Sequence, residues 1–205
     1  MKISSFAYNP NLRHEYSINS KERLHVPFYL AVISIGLIHI LKVIINLPEW
    51  IPIPSAFAIY GGLYKLFDKY IWKWKWLRST GLIQTPNMNG NWMMETTSSL
   101  TDYKITYEGR LCIGQTWTRI SLFFEGSNAT STSQMASIAI QNHSLFALEW
   151  EYLSRKKPEY SREDYMHYGI TRLQWTGSDS MNTLEGDYYT DRSRHNYGEV
   201  KIKKA

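Results

Sequence analysis

The sequence contains a single cysteine, Cys112, among 205 residues. One cysteine cannot form an intramolecular disulfide, a thiolate metal cluster or a CxxC redox pair. The chain also lacks a Walker loop, a GxGxxG turn, an HExxH helix and a GxSxG elbow, and its six histidines are scattered without metal-ligand spacing. We therefore expect a protein that is not an enzyme, with no catalytic residue, no metal site and no cofactor.

Charge is divided unevenly along the chain. Residues 1–87 contain ten Lys and Arg against four Asp and Glu, whereas residues 88–205 contain 13 against 14. The basic excess therefore belongs to the N-terminal part, for which an anionic lipid surface is the expected partner. A domain that binds nucleic acid would keep that excess for itself, so we expect neither DNA nor RNA as a partner.

A long apolar run covers residues 26–47 and is broken only by His39 and Lys42. About 20 apolar residues are needed to cross the hydrocarbon core of a bilayer, so the run predicts a transmembrane helix. A signal peptide is the alternative. The run is too long for one, it lacks a small-residue cleavage site, and a second apolar run follows it at once.

The second run covers residues 50–72 and is weaker, because Lys65, Asp68 and Lys69 interrupt it. It predicts a tilted second membrane helix whose lysines reach the surface, followed by an interfacial anchor of alternating Trp and Lys. A re-entrant or interfacial helix is the alternative. Ala58 and Gly62 have the small-xxx-small spacing that allows close helix contact in lipid, and we take them as candidate residues for self-association.

Basic residues flank the hairpin, with Arg13, Lys21 and Arg23 before the first helix and Lys69, Lys73, Lys75 and Arg78 at the end of the second, while the connecting turn has none. The positive-inside rule then places both termini in the cytoplasm. The predicted layout is a cytoplasmic segment over residues 1–25, a two-helix membrane hairpin over 26–78, a linker over 79–89 and a β domain over 90–205.

Alternating apolar and polar residues, broken by turn residues, predict eight strands in the β domain. Eight sequential strands with mostly short connections are typical of a compact antiparallel up-and-down β-barrel; a two-sheet sandwich is the alternative. The predicted strands cover residues 90–97, 103–113, 115–125, 130–140, 145–153, 166–175, 183–191 and 197–203.

The alternation also predicts which side chains point into the barrel. Antiparallel order places apolar inward residues such as Trp92, Phe146 and Leu173 at one end and polar or aromatic ones at the other, which would face the cytosol. The fourth strand is ambiguous, because Thr130 and Thr132 or Ser131 and Ser133 face inward unless a bulge intervenes. Nine residues at or beside the polar mouth are candidate ligand-binding residues: Tyr103, Tyr107, Ser131, Ser133, Tyr152, His167, Tyr188, Thr190 and Arg192.

Hydroxyl groups, aromatic rings and an arginine suit a planar, anionic ligand. Rings stack on bases, and arginine and hydroxyl groups bind phosphate oxygens. The alternative is that these groups only satisfy one another at the end of a packed barrel.

A basic N-terminus, two membrane helices and a compact barrel together resemble the two-transmembrane β-barrel effectors of bacterial CBASS antiphage systems, the CD-NTase-associated effector proteins. Local segments that fit are Gly90-x-Trp92, Gln115-Thr116-Trp117, Ser131-x-Ser133, His167-x-Gly169 and Gly186-x-Tyr188-x-Thr190-x-Arg192 with Gly198. The resemblance covers nearly the full chain.

This resemblance implies an effector in the bacterial inner membrane that is linked functionally to a CD-NTase, the enzyme that makes a cyclic oligonucleotide after infection. The barrel would sense that ligand, here a cyclic dinucleotide, and binding would drive oligomerisation and membrane disruption by the hairpin. Tyr152, His167, Thr190 and Arg192 would be its main contacts. A lipocalin-like barrel for an apolar ligand and an adaptor without a ligand remain alternatives.

Overall fold

The structure is a computed structural model that describes residues 13–45, 55–142, 145–157, 166–175, 183–192 and 194–205. Its contacts divide the chain into a helical unit, Ser20–Thr85, and a β unit formed by the residues before Ser20 together with those from Pro86 onward.

The helical unit contains α1 (Glu22–Ile45), α2 (Ala56–Lys69), a 3₁₀ turn (Ile71–Lys73) and α3 (Lys75–Ser79). Within the described residues one helix, Glu22–Ile44, is long and apolar enough to cross a membrane, which agrees with the first predicted span. Val26, Leu30 and Ser34, four residues apart, form its buried stripe, and α2 is the element that packs against α1.

The second predicted span is longer than the helix that forms. α2 has 14 residues, which at about 1.5 Å per residue extends roughly 21 Å, short of the roughly 30 Å hydrocarbon core. The helix ends at Lys69, and Trp72 is fully buried in the following 3₁₀ turn. Residues 50–54 of the predicted span lie outside the described residues.

A buried carboxylate joins the start of α1 to the segment after α3. Glu22 is 3% exposed, and its carboxylate accepts hydrogen bonds from the backbone N–H of Gln84, the backbone N–H of Thr85 and the Thr85 hydroxyl. Three donors satisfy a charge that would otherwise be costly to bury. These hydrogen bonds therefore hold the first and last segments of the helical unit, at Glu22 and at Gln84–Thr85, next to each other.

The β unit is a closed barrel with strand order β1-β4-β3-β2-β9-β8-β7-β6-β5. All eight predicted strands are present and antiparallel, and β2 pairs with β9 to close the wall. The strands are β1 (His14–Ile18), β2 (Gly90–Thr96), β3 (Tyr107–Gln115), β4 (Arg119–Gly126), β5 (Ala129–Asn142), β6 (Leu145–Lys156), β7 (Met166–Trp175), β8 (Thr183–Thr190) and β9 (Tyr197–Lys204).

The ninth strand, β1, lies in the segment that we predicted to precede the hairpin without joining the barrel. β4 and β5 pair directly only at one end, and β1 fills the gap at the other, antiparallel to β4 and parallel to β5. Tyr16 of β1 is buried, and its hydroxyl donates to the carbonyl oxygen of Trp117 at 2.8 Å. The barrel wall is thus completed by residues that come before the membrane helix.

A β-bulge resolves the ambiguous fourth predicted strand. Ser133 pairs with Tyr152 and Met135 with Glu151, which leaves Gln134 as the extra residue. The bulge reverses the alternation: Ser131 and Ser133 share the inward face of Tyr152 before it, and Ala136, Ile138 and Ile140 face inward after it.

The apolar end of the barrel is packed with its own side chains. Met88, just before β2, is fully buried there, and its carbonyl oxygen accepts the indole N–H of Trp92 at 3.0 Å. The inward residues predicted for this end are buried or half-buried in the core, among them Trp92, Ile113, Ile138, Ile140, Phe146, Leu173, Leu184 and Ile202.

Candidate functional site

Two rows of inward side chains build the polar mouth of the barrel. Ser133, Tyr152, Gly169 and Thr190 are successive cross-strand partners on β5, β6, β7 and β8. The next row toward the rim contains Ser131, Ser154 and His167. Because directly paired residues share one face of a sheet, the register brings together residues that are far apart in the sequence.

Tyr152 dominates the first row. A side chain at Gly169 would overlap the Tyr152 ring, so the glycine provides the space in which that ring lies. The ring meets His167 edge to face, with centroids 6.3 Å apart. Burial, more than the nearby Tyr188, raises the pKa of the Tyr152 hydroxyl, which therefore stays protonated and able to donate a hydrogen bond.

A buried asparagine, which the sequence analysis did not select, connects three parts of the mouth. Asn196 Oδ1 accepts from the hydroxyls of Ser98 and Ser99 at 2.9 and 3.0 Å, and its Nδ2 donates to the Tyr188 hydroxyl at 3.0 Å. Its backbone exchanges hydrogen bonds with the Thr190 hydroxyl. Asn196 thus fixes the β8–β9 turn against the segment that follows β2.

The cation beside His167 is Arg194 rather than the predicted Arg192. Alternation along β8 predicts Arg192 inward, but the strand ends at Thr190 and Arg192 is exposed in the turn. The turn instead places Arg194 Nη1 3.2 Å from His167 Nδ1 and 3.4 Å from Nε2. Because arginine only donates, a hydrogen bond in this contact requires an unprotonated imidazole nitrogen as the acceptor.

The remaining predicted site residues are Tyr103, Tyr107, Ser131 and Ser133. Tyr103 and Tyr107 are 45% and 40% exposed. Tyr103 has a left-handed backbone and precedes β3, which begins at Tyr107 rather than at residue 103 as predicted. Ser133 already has partners: its hydroxyl accepts the Leu122 N–H at 2.9 Å and lies 2.8 Å from His14 Nε2. Ser131 is half-buried in the rim row.

We call Tyr152, His167, Tyr188, Thr190, Arg194 and Asn196 the rim cluster. It offers ring faces, hydroxyl and amide donors and a guanidinium, which suits the recognition of bases and phosphates. The paired carboxylates Glu149 and Glu151 lie on the opposite, outward face of β6, away from this cluster. Within the described residues no group of three or more His, Cys, Asp or Glu side chains could hold a metal ion.

A depression away from the rim cluster lies on the barrel over β2, β8 and β9. Its lining includes four carboxylates, those of Glu95, Glu185, Asp187 and Glu199, and one ammonium group, that of Lys201, which is paired with Glu185. The excess negative charge repels an anionic ligand. The rim cluster is therefore the better candidate site for such a ligand.

The predicted self-association residues lie on an uncovered face of α2. Ala58 and Gly62 are exposed, and an added Cβ at Gly61 or Gly62 would meet no atom within 4 Å. The neighbouring Phe57 is 87% exposed. Within the described part of the helical unit, this face is free for another helix.

Both units match known protein families. Residues 83–204 match the family described as Cap15, cyclic dinucleotide receptor domain, and residues 24–73 match the family described as Cap15, TM helices. The CD-NTase-associated protein 15 of Yersinia aleksiciae is 29% identical over 149 residues, which is 72% of this chain and 68% of that protein. The receptor-domain match includes β2 to β9 and all six residues of the rim cluster.

Proposed function

This chain belongs to the Cap15 family, and from that premise we propose that it is a membrane effector of a CBASS antiphage system whose rim cluster binds a cyclic dinucleotide. The observation that carries this proposal is the placement of Arg194 beside His167, whose ring meets the half-buried ring of Tyr152. A cationic group beside aromatic rings provides for both the phosphates and the bases of such a ligand.

Each group in the cluster has a role in this proposal. Arg194 binds a phosphate oxygen, and His167 holds the guanidinium in place. The protonated hydroxyl of Tyr152 donates to the ligand, while the Tyr188 ring, fixed through its hydroxyl by Asn196, stacks on a base. Ser131, Thr190 and Arg192 line the approach to these groups.

Binding acts through self-association. A ligand shifts an equilibrium only when it binds one state more tightly than the other, so the nucleotide must favour the assembled protein. The exposed small-residue face of α2, with Ala58 and Gly62, then provides the helix contact. The assembled hairpins disrupt the bacterial inner membrane, both termini and the barrel lie in the cytoplasm, and a CD-NTase supplies the ligand.

An apolar ligand fits the barrel less well. The core at the end opposite the rim is filled by large side chains such as Trp92, Leu111 and Leu173, and the groups at the rim are polar. An apolar molecule would remove the Arg194 guanidinium from water without offering it an acceptor, which is costly.

Calorimetry of the detergent-solubilised full chain tests the proposal. We expect heat of binding with at least one member of a panel of cyclic dinucleotides, none with the linear dinucleotides of the same bases, and none with a long-chain fatty acid. Light scattering on the same samples is expected to show a larger particle only with the nucleotide that binds. Binding of the fatty acid alone would contradict the proposal, and so would silence across the whole nucleotide panel.

A further inference from the structure

Phe124, on β4, is an inward aromatic side chain of the mouth that the rim cluster does not include. It is half-buried and packs against the core. Its direct partner on β5 is Ser131, so it belongs to the same row of the wall as Ser131, Ser154 and His167. Because directly paired residues share one face of a sheet, Phe124 points into the polar mouth of the barrel.

A glycine on the neighbouring strand makes room for the Phe124 ring. An added Cβ at Gly109 of β3 would overlap that ring. The other two inward rings of the mouth have the same arrangement, Tyr152 over Gly169 and Tyr188 over Gly198. Each ring therefore lies along the wall over the adjacent strand rather than across the mouth of the barrel.

Phe124 and Tyr188 lie on opposite sides of the mouth. At Phe124, β4 pairs directly with β5, whereas β1 pairs with β4 further from the mouth, at Arg119 and Ile120. The wall around the mouth is therefore a ring of the eight strands β2 to β9. From β4 to β8 this ring leads through β3, β2 and β9 in one direction and through β5, β6 and β7 in the other, so the two strands are diametrically opposed.

The strand register also brings the two rings to a similar level of the barrel. In one direction, the row of paired residues through Phe124 meets β8 beyond its last residue, Thr190. In the other direction, the row meets β8 before its first residue, Thr183. Barrel strands are tilted, so such a row rises in one direction and falls in the other. The level of Phe124 on β8 therefore lies between these two ends, in the stretch that contains the inward Tyr188.

We propose that Phe124 is a second base-stacking platform of the rim site, facing the platform of Tyr188, so that the site receives two bases at once. Aromatic side chains stack on bases of any identity, because every base has a π-face. This inference rests on the proposed function and extends it: one base of the cyclic dinucleotide stacks on Tyr188, the other stacks on Phe124, and Arg194 binds a phosphate. The site then selects cyclic nucleotides with two bases over those with one.

Calorimetry of the detergent-solubilised full chain with cyclic di-AMP, cyclic di-GMP, cyclic di-UMP and cyclic GMP–AMP tests the second platform. Phe124→Leu removes the ring but keeps an apolar side chain. It is expected to weaken binding of whichever nucleotide binds the wild type by about 5- to 150-fold, the contribution of one base stack. Phe123→Leu is the matched control, because Phe123 is half-buried on the opposite, outward face of the same strand; it is expected to leave affinity unchanged.

An analogue of the bound dinucleotide with one base replaced by hydrogen separates stacking from a structural role. In the wild type, the missing base is expected to cost about 5- to 150-fold in affinity. In Phe124→Leu it is expected to cost less than about twofold, because the remaining base occupies Tyr188 and the removed base has no ring to stack on. A residue that only supports the fold would make the two losses multiply, as independent effects do.

Each outcome decides between the second platform and the proposed function. Should Phe124→Leu lose its circular dichroism spectrum, Phe124→Met carries the same predictions, because the flexible methionine side chain fills irregular gaps. If the wild type binds a dinucleotide, then unchanged affinity in the Phe124 variant, an equal loss in Phe123→Leu, or losses that multiply would overturn the second platform and leave the proposed function standing. If no dinucleotide binds the wild type, the proposed function fails and the second platform fails with it.

Discussion

Replacing Arg194 by alanine is expected to weaken cyclic dinucleotide binding by about 10- to 150-fold, because a hydrogen bond to a charged group contributes about 1.5–3 kcal/mol. Arg194 is half-buried against His167, so the guanidinium is held in place before the ligand arrives. A preorganised group loses less conformational entropy on binding than a free one. Calorimetry of the full chain in detergent measures the change.

Two other arginines serve as controls for this result. Arg172→Ala removes an exposed cation from the outward face of β7 and is expected to leave affinity unchanged. Arg192→Ala removes the exposed arginine of the β8–β9 turn and is expected to have a smaller effect than Arg194→Ala. If Arg194→Ala keeps its circular dichroism spectrum and binds the cyclic dinucleotide with unchanged affinity, the rim cluster is not the binding site.

Replacing Leu148 by alanine is expected to lower the free energy of unfolding of the barrel by about 2–5 kcal/mol, the cost of truncating a fully buried leucine. Leu148, on β6, is 0% exposed and belongs to the core of the barrel. Denaturant unfolding of the full chain, followed by near-ultraviolet circular dichroism, measures the loss.

Leu153→Ala on the same strand is the matched control. Leu153 is half-buried and pairs with the outward residues Thr132 and Tyr168. Its truncation removes the same atoms from the outer face of the wall and is expected to cost less than half as much. Equal losses in the two variants would mean that the inward and outward faces of β6 are assigned wrongly.

Most of the barrel could be predicted from sequence because alternation is a local signal. In β7, His167, Gly169, Thr171 and Leu173 are buried and the residues between them are exposed, as period-two patterning requires. β5 was harder, because a bulge at Gln134 reverses the pattern within one strand. The sequence analysis identified the conflict but could not place the extra residue.

The strand β1 gave no comparable signal. It has five residues, lies before the helical unit in the sequence, and reaches the barrel only through pairing with β4 and β5. β1 pairs where β4 and β5 do not pair with each other. No local sequence pattern predicts a pairing between segments so far apart in the chain. The predicted second span runs to residue 72, whereas α2 ends at Lys69 and the apolar Trp72 is buried in the following turn.

The candidate site was predicted where it rests on strands and missed where it rests on a turn. Tyr152, His167 and Tyr188 follow from alternation, and each is buried or half-buried in the rim cluster. Arg194 and Asn196 follow β8 in a turn, where side-chain direction depends on the backbone of each residue. His195 in that turn has a positive φ of 46°, so the side-chain alternation of β8 does not predict the directions of Arg194 and Asn196.

Photo-crosslinking of the full chain with an azido-substituted cyclic dinucleotide, followed by mass spectrometry of the labelled peptides, tests the central claim most directly. The account predicts labels on β6 around Tyr152, on β7 around His167 and in the turn with Arg194, with competition by unlabelled nucleotide. Labels confined to the depression around Glu95 and Lys201, or spread over the barrel without competition, would contradict it.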